Sequence, residues 1–375
     1  MKKLIRFLSL LATLTLFACC AAAEGNEEDS TVALVNGEAL TASAYTPMEE
    51  QYLTQYAAMG YDVTDEAAKA FVQDLALTAA IEQMLVKQDM AAQGCYDFEA
   101  DVESWCQEQG QAAYEAALQN VGDVLRTTLE LGEDEDMSQY AKNYAQVLGV
   151  TAQDYINVYR TQVATESYNA WLTQDCPVTD EDVQSAYDER VANDQARFEQ
   201  DVPAFESAIG SGEQTWYKPA GYRSILQILL PAEGETEADK LAAASAQTQE
   251  IAKRLDAGES FASLIAEYGV DSAFDDASFY ETGYQVHADS ILWDEAFVNA
   301  AFSQDLQKPG DWGEPFASDL GVHILYYLAD SESGPVEMTD TLHDALAYTL
   351  YSERCHARME ARIEELAAAA EVTLY

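Results

Sequence analysis

The chain predicts an α+β fold in two parts: a mostly helical domain and a smaller unit built on strands. Three observations carry that expectation. Apolar residues recur at helical spacing through most of the first half, after a hairpin signal at Thr31–Thr41. The stretch Tyr222–Leu328 opens with YRSILQILL and closes with GVHILYYL, two apolar strand patterns enclosing helical segments, and it reads as a βαβ-type unit. A long helical pattern then returns over Thr339–Ala369. With 375 residues, 48% of them hydrophobic, the chain has material for two cores of ordinary size.

The first residues precede the fold. Lys2, Lys3 and Arg6 stand before an apolar run from Phe7 to Ala18, the layout of an export signal and too short to span a bilayer. Leu16-Phe17-Ala18-Cys19 resembles the lipobox of bacterial lipoproteins, which implies lipidation of Cys19 and a protein anchored to the outer face of the cell membrane. The alternative is a cut after Ala21-Ala22-Ala23 and a secreted product. Residues 1–23 are therefore assigned to the signal and the start of a tether, and Glu24–Ser30 continues the tether.

Charge narrows the choice of partners. The formal net charge is −48, and removal of the first 18 residues takes away three basic side chains, leaving −51. Such a surface repels nucleic acid and anionic lipid headgroups, and it favours a monomer. Beyond Cys19 and Cys20 the cysteines are Cys95, Cys106, Cys176 and Cys355. They permit three disulfide pairings, between which the sequence does not choose. No cysteine or histidine spacing suggests a metal, and no cofactor is expected.

Within Thr31–Thr41, Asn36-Gly37 is the preferred pair for a type I′ hairpin turn, and Thr41 is placed to cap the helix that follows. Thr64 is expected to start a helix that Gly94 stops. Further helical stretches are expected near 98–132, 137–148 and 151–173, and Pro177 breaks the pattern. Thr179 with Asp182 reads as a capping box. The expected organisation is a helical domain over 31–190 completed by 336–375, a linker or insertion over 191–217, and a second domain over 218–330.

That second domain carries the motifs. Gly258-Glu259-Ser260-Phe261-Ala262-Ser263-Leu264-Ile265-Ala266-Glu267-Tyr268 resembles the G-x-x-F-x-x-L-A-x-x-Y segment of parvulin-type peptidyl-prolyl isomerases. Gly269-Val270-Asp271-Ser272 resembles the S-x-D loop of that family, Phe297–Phe302 its F-x-x-A-x-F segment, and Gly321-Val322-His323-Ile324 its G-x-H-I strand. The resemblance implies a small antiparallel sheet with helices. It places Gln227, Asp271 and His323 at the catalytic positions and Trp293, Phe297 and Phe302 at the proline-binding wall. Trp293 is expected one helical turn before Phe297. Gln227 stands where the family usually carries histidine, and the family's G-G-x-L-G loop is replaced by Asp275-Asp276-Ala277-Ser278-Phe279.

A hairpin and helices, an inserted isomerase-like unit and a returning helix together resemble exported SurA/PrsA-type foldases. The function implied is isomerisation of X-Pro bonds in unfolded or newly exported polypeptides. The competing readings are a chaperone that keeps the fold without catalysis and a client-binding surface lipoprotein. A hydrolase is disfavoured, because neither G-x-S-x-G nor H-E-x-x-H occurs.

Overall fold

The computed structural model describes residues 29–128, 132 and 136–375. The expected signal segment and Cys19 lie outside the described residues. The chain forms two compact units, one of the described residues up to Pro177 with Tyr351–Tyr375, the other of Val178–Leu350.

In the first unit β1 (Thr31–Val35) and β2 (Glu38–Thr41) pair antiparallel. Asn36 and Gly37 both take positive φ, 52° and 85°, as a type I′ turn requires. Among the described residues five helices follow: α1 (Ala42–Ala58), α2 (Glu66–Ala92), α3 (Ala100–Thr128), α4 (Ser138–Val147) and α5 (Ala152–Leu172). Thr64 does not cap α2. Its hydroxyl donates to Asp62, and the Asp65 carboxylate accepts the amides of Ala67 and Ala68, so the helix starts two residues later than the pattern suggested. Thr41 stands at the N-cap of α1, but its side chain makes no capping bond.

The second unit opens with α6 (Asp180–Phe198), capped by the reciprocal Thr179–Asp182 box, and α7 (Val202–Gly210). Residues 191–217, expected as a linker or insertion, thus hold the end of α6, all of α7 and the first residue of β3 (Tyr217–Lys218). The physical reason is burial: Phe198, Val202, Phe205 and Ala208 make a small core with Tyr222. Gly210 and Gly212 mark the end of a helix there, since Gly210 closes α7 and Gly212 takes φ 79° just beyond it.

The main sheet of this unit has the order β5-β4-β7-β6, from β4 (Arg223–Leu230), β5 (Tyr284–Val286), β6 (Phe316–Ala317) and β7 (Val322–Asp330). β4 and β7 are neighbours and antiparallel, with Gln227 opposite Leu325 and Leu229 opposite His323. The unit is therefore an antiparallel sheet, as the family resemblance implied, and not a parallel crossover. Between β4 and β5 lie α8 (Glu237–Asp256), α9 (Phe261–Tyr268), a short 3-10 turn (Ser272–Asp275) and α10 (Phe279–Thr282); α11 (Glu295–Ala301) follows β5.

Strand alternation gives the sheet two different faces. Leu226, Ile228, Leu230, Val322 and Ile324 pack on Ala244, Ile251, Phe261, Leu264 and Ile265 from α8 and α9. Ile225, Leu325, Tyr327 and Val286 pack on Phe297 and Ala301 from α11. Gln227 and His323 share the parity of this second set and so face α11.

β8 (Gly334–Pro335) pairs with β3. α12 (Asp340–Ala369) contributes its residues up to Leu350 to the second unit and the rest to the first. There Arg362 grips both oxygens of Asp89 on α2 at 2.8 Å, and Tyr168 on α5 donates to the same carboxylate at 2.5 Å. β9 (Val372–Leu374) then adds to the free edge of β1. Cys95, Cys106, Cys176 and Cys355 are all free thiols, so none of the three pairings is formed.

Candidate active site

The site begins with two side chains on adjacent strands. Gln227 on β4 and His323 on β7 are diagonal neighbours on one face, a separation long side chains bridge. His323 Nδ1 lies 2.8 Å from Gln227 Oε1, and Gln227 Nε2 donates to Asp271 Oδ2 at 2.6 Å. Both strand residues are deeply buried, Gln227 at 5% and His323 at 2% exposure, so unpaired polar atoms here would be costly.

Asp271 arrives from the turn after α9. Its Oδ1 caps the 3-10 turn by accepting the amide of Ala273 at 3.0 Å, which aims Oδ2 at the strands. That oxygen also accepts the phenolic hydroxyl of Tyr284 on β5 at 2.6 Å. At the other end, Ser318 Oγ lies 2.6 Å from His323 Nε2 and accepts the amide of Leu320 at 3.0 Å. The tight loop between β6 and β7 makes this possible. It closes at Gly321, where φ is 147° and a Cβ would sit 2.2 Å from the Leu230 carbonyl oxygen.

The donors settle the protonation pattern. Gln227 can only accept through Oε1, so His323 Nδ1 carries the proton. Nε2 is then an acceptor and Ser318 donates to it. Every bond from Ser318 through His323 and Gln227 runs towards the Asp271 carboxylate. Burial pushes the His323 pKa below its usual value despite the opposing pull of Asp294 and Asp271, so the imidazole is neutral near pH 7. Burial, reinforced by the Asp271 carboxylate, drives the Tyr284 hydroxyl well above the ordinary phenol range, so it stays a donor.

Aromatic rings enclose this floor. Phe316 stacks on the His323 ring at 4.9 Å, and Phe297 meets it edge-on at 6.1 Å. Trp293 stacks on Phe297 at 4.8 Å and meets Tyr284 edge-on at 5.0 Å. Trp293 is not on the helix as expected. Asp294 caps α11 by accepting the Phe297 amide, which leaves Trp293 in the loop before it. Its indole Nε1 donates to the Gln285 carbonyl at 3.0 Å, and that bond sets the ring over Phe297.

Gln227, Asp271, His323, Trp293 and Phe297 are thus brought together. Phe302 packs on the same cluster as Phe297 and, with Tyr327, holds the Arg223 guanidinium, at 4.4 and 4.5 Å from the two ring centres. Tyr284, Phe316 and Ser318 were missed by sequence reasoning. Ser318 had a usable signal, a hydroxyl five residues before His323 across a Gly-closed hairpin. Tyr284 had none, because β5 has only three residues. Among the described residues no group of three His, Cys, Asp or Glu is arranged to hold a metal.

The profile of the rotamase family, the PpiC-type peptidyl-prolyl isomerase domain, matches residues 227–329. This segment is a PpiC-type rotamase domain. The match begins at Gln227, within β4, and takes in Asp271, Trp293, Phe297 and His323. A curated relative, the foldase protein PrsA of Halalkalibacterium halodurans, is 29% identical over 141 residues. That match spans 37% of this chain and 38% of the relative, so well under half the relative's length is represented.

Among solved structures, PrsA from Bacillus subtilis is 17% identical, covering 91% of this chain and 93% of that one with a TM-score of 0.22. A structure from Campylobacter jejuni, described in terms of the SurA-like chaperones PEB4 and Cj1289, is 18% identical. It covers 92% of this chain and 100% of that one, with a TM-score of 0.32.

Proposed function

We propose that this chain is an exported foldase whose rotamase domain isomerises X-Pro bonds in unfolded or newly exported polypeptides. The observation that carries the proposal is the closed Ser318–His323–Gln227–Asp271 network beneath the Phe297–Trp293 wall. Rotating an X-Pro bond breaks no covalent bond, but its barrier of about 18–20 kcal/mol makes it slow, over tens to hundreds of seconds. An apolar wall that grips the proline ring strips water from the amide and weakens its resonance. The imidazole and amide of the floor are uncharged and its one carboxylate is already bound by Gln227 and Tyr284, so the floor neither attacks the chain nor traps it by charge. Each 1.36 kcal/mol of preference for the twisted amide is worth about tenfold in rate.

The Lys2–Ala18 segment and Cys19 support export with a lipid anchor at the outer face of the membrane, with plain secretion as the alternative. Among the described residues no helix is long and apolar enough to cross a membrane. The strongly acidic surface fits a monomer and clients that are not nucleic acid.

The test is cis-to-trans conversion of short proline peptides by the full-length protein beside Asp271→Ala and His323→Ala. Acceleration that both variants lose supports the reading, whereas no acceleration with any residue before the proline overturns it.

One observation favours a second reading, client holding without catalysis. Met59, Tyr61 and Phe71 are more than half exposed, at 57%, 52% and 54%. Tyr61 and Phe71 each pack against Tyr56, at 5.2 and 6.5 Å, forming an apolar cluster where α1 turns into α2.

A further inference from the structure

Glu206 on α7 lies before the rotamase-matched segment, yet it is tied to that domain. It is 1% exposed, and a carboxylate so buried needs partners for both oxygens. Oε1 accepts the hydroxyl of Tyr222 at 3.0 Å. Oε2 accepts Ser290 Oγ at 2.9 Å and the amides of Ile291 at 2.6 Å and Leu292 at 3.2 Å. Three of the four donors are consecutive residues in the segment 287–294, which has neither helix nor strand. The next residue is Trp293.

We infer that Glu206 is a positioning residue for the proline-binding wall, which makes α7 part of the active site. This rests on the isomerase reading of the same site. The carboxylate draws the amides of Ile291 and Leu292 inward. Both side chains then face solvent, each 56% exposed, beside the half-buried indole. Trp293 is held at two points: through its backbone by the residues Glu206 anchors, and through Nε1 by the Gln285 carbonyl. Without the first, the Ile291 amide would lose its acceptor and the Leu292 amide would keep only Ser290 Oγ, leaving the indole bond and the ring contacts with Phe297 and Tyr284 to hold Trp293. The wall would then sample open positions, and a site that grips a proline ring is sensitive to displacements near 1 Å. Glu206 touches none of Gln227, Asp271 or His323, so the defect belongs to binding. The ligand class is a polypeptide with proline against Trp293 and an apolar neighbour against Ile291 and Leu292.

The experiment compares Glu206→Leu, Glu206→Gln, Trp293→Ala and the double variant Glu206→Leu/Trp293→Ala in the full-length protein. It reads kcat and KM on a proline tetrapeptide, together with the Trp293 indole N–H resonance assigned through Trp293→Ala. Glu206→Leu is expected to raise KM about tenfold, hold kcat within about threefold and move the indole signal. Glu206→Gln keeps an oxygen for both amides and is expected to restore KM to within about threefold. In the Trp293→Ala background Glu206→Leu should add nothing, because one route has already been removed.

A folded Glu206→Leu protein with wild-type KM and an unmoved indole signal overturns the inference, as does an additive loss in the double variant. Should Glu206→Leu fail to fold, Ser290→Ala removes one anchor without a charged or core change. An unmoved indole signal there overturns the inference equally. A wild-type protein that accelerates no peptide would sink the isomerase reading alone, and the indole arm would still decide whether Glu206 positions Trp293.

Discussion

Replacing Gln227 with glutamate tests the heart of the site. The substitution keeps shape and changes one contact: the Nε2 donor, 2.6 Å from Asp271 Oδ2, becomes an oxygen facing an oxygen. The other oxygen still accepts from His323. Two ionised carboxylates at that separation repel by about 6 kcal/mol at an effective dielectric of 20. The folded protein has a cheaper route, which is to keep one proton on the pair. Glutamate unfolded has a pKa near 4.3, so holding that proton at pH 7 costs about 4 kcal/mol, and the lower figure sets the loss. A unit of this size loses roughly 2–4 °C per kcal/mol, so Gln227→Glu should melt roughly 8–16 °C below wild type at pH 7.

The sign follows from the raised folded pKa. The folded state binds more protons than the unfolded one, so the penalty grows as pH rises above about 4.3 and vanishes below it. Thermal melts of both proteins from pH 4 to pH 8, followed by near-ultraviolet circular dichroism, measure the gap. A gap that stays constant across that range would show that Gln227 and Asp271 are not in contact, and the proposed floor would fall with it.

Two further outcomes are expected. Burial lowers the His323 pKa below 6.5, so the folded state binds fewer protons than the unfolded. Stability should therefore fall as pH drops from 6.5 towards the folded value and level off on either side. An imidazole titration followed by NMR with a midpoint at or above 6.5 would contradict this. In the helical unit, hydrogen bonds from Arg362 are the largest cause holding the Asp89 pKa at about 2 against burial. The carboxylate contributes stability above about pH 4 that disappears as pH falls towards 2. Asp89→Asn should cost about 2 kcal/mol at pH 7 and match wild type near pH 2, and equal denaturant midpoints at pH 7 would refute it.

The legible parts of this molecule are those decided within a few residues. Asn36-Gly37 permits positive φ twice, and Thr179 with Asp182 closes its own capping box. The β4 and β7 patterns read as near-continuous apolar runs because both faces of each strand are packed. The resemblance of the surrounding motifs to a known family, not local pattern, is what put Gln227, Asp271 and His323 at one site. Local reasoning failed where a competing neighbour won, as when Asp65 displaced Thr64 from the cap and Asp294 began α11 one residue after Trp293. Over 191–217, which Gly210 and Gly212 marked as a linker or insertion, burial of Phe198, Val202 and Phe205 holds helices.

What the sequence by itself determined was the two-part α+β plan and the strands of the second unit, because periodicity is a property of neighbouring residues; the polar residues of the floor were implied by the family resemblance. Only the tertiary structure decided how those residues are wired. It directed the donors from Ser318 to Asp271, laid Phe302 over the Arg223 guanidinium, and set Glu206 beneath the loop that carries Trp293. The physical reason is that hydrogen-bond direction and ring stacking depend on sub-ångström placement of groups far apart in the chain. The 84 to 96 residues separating Glu206 from Ser290 and Gln227 from His323 leave no trace in local pattern.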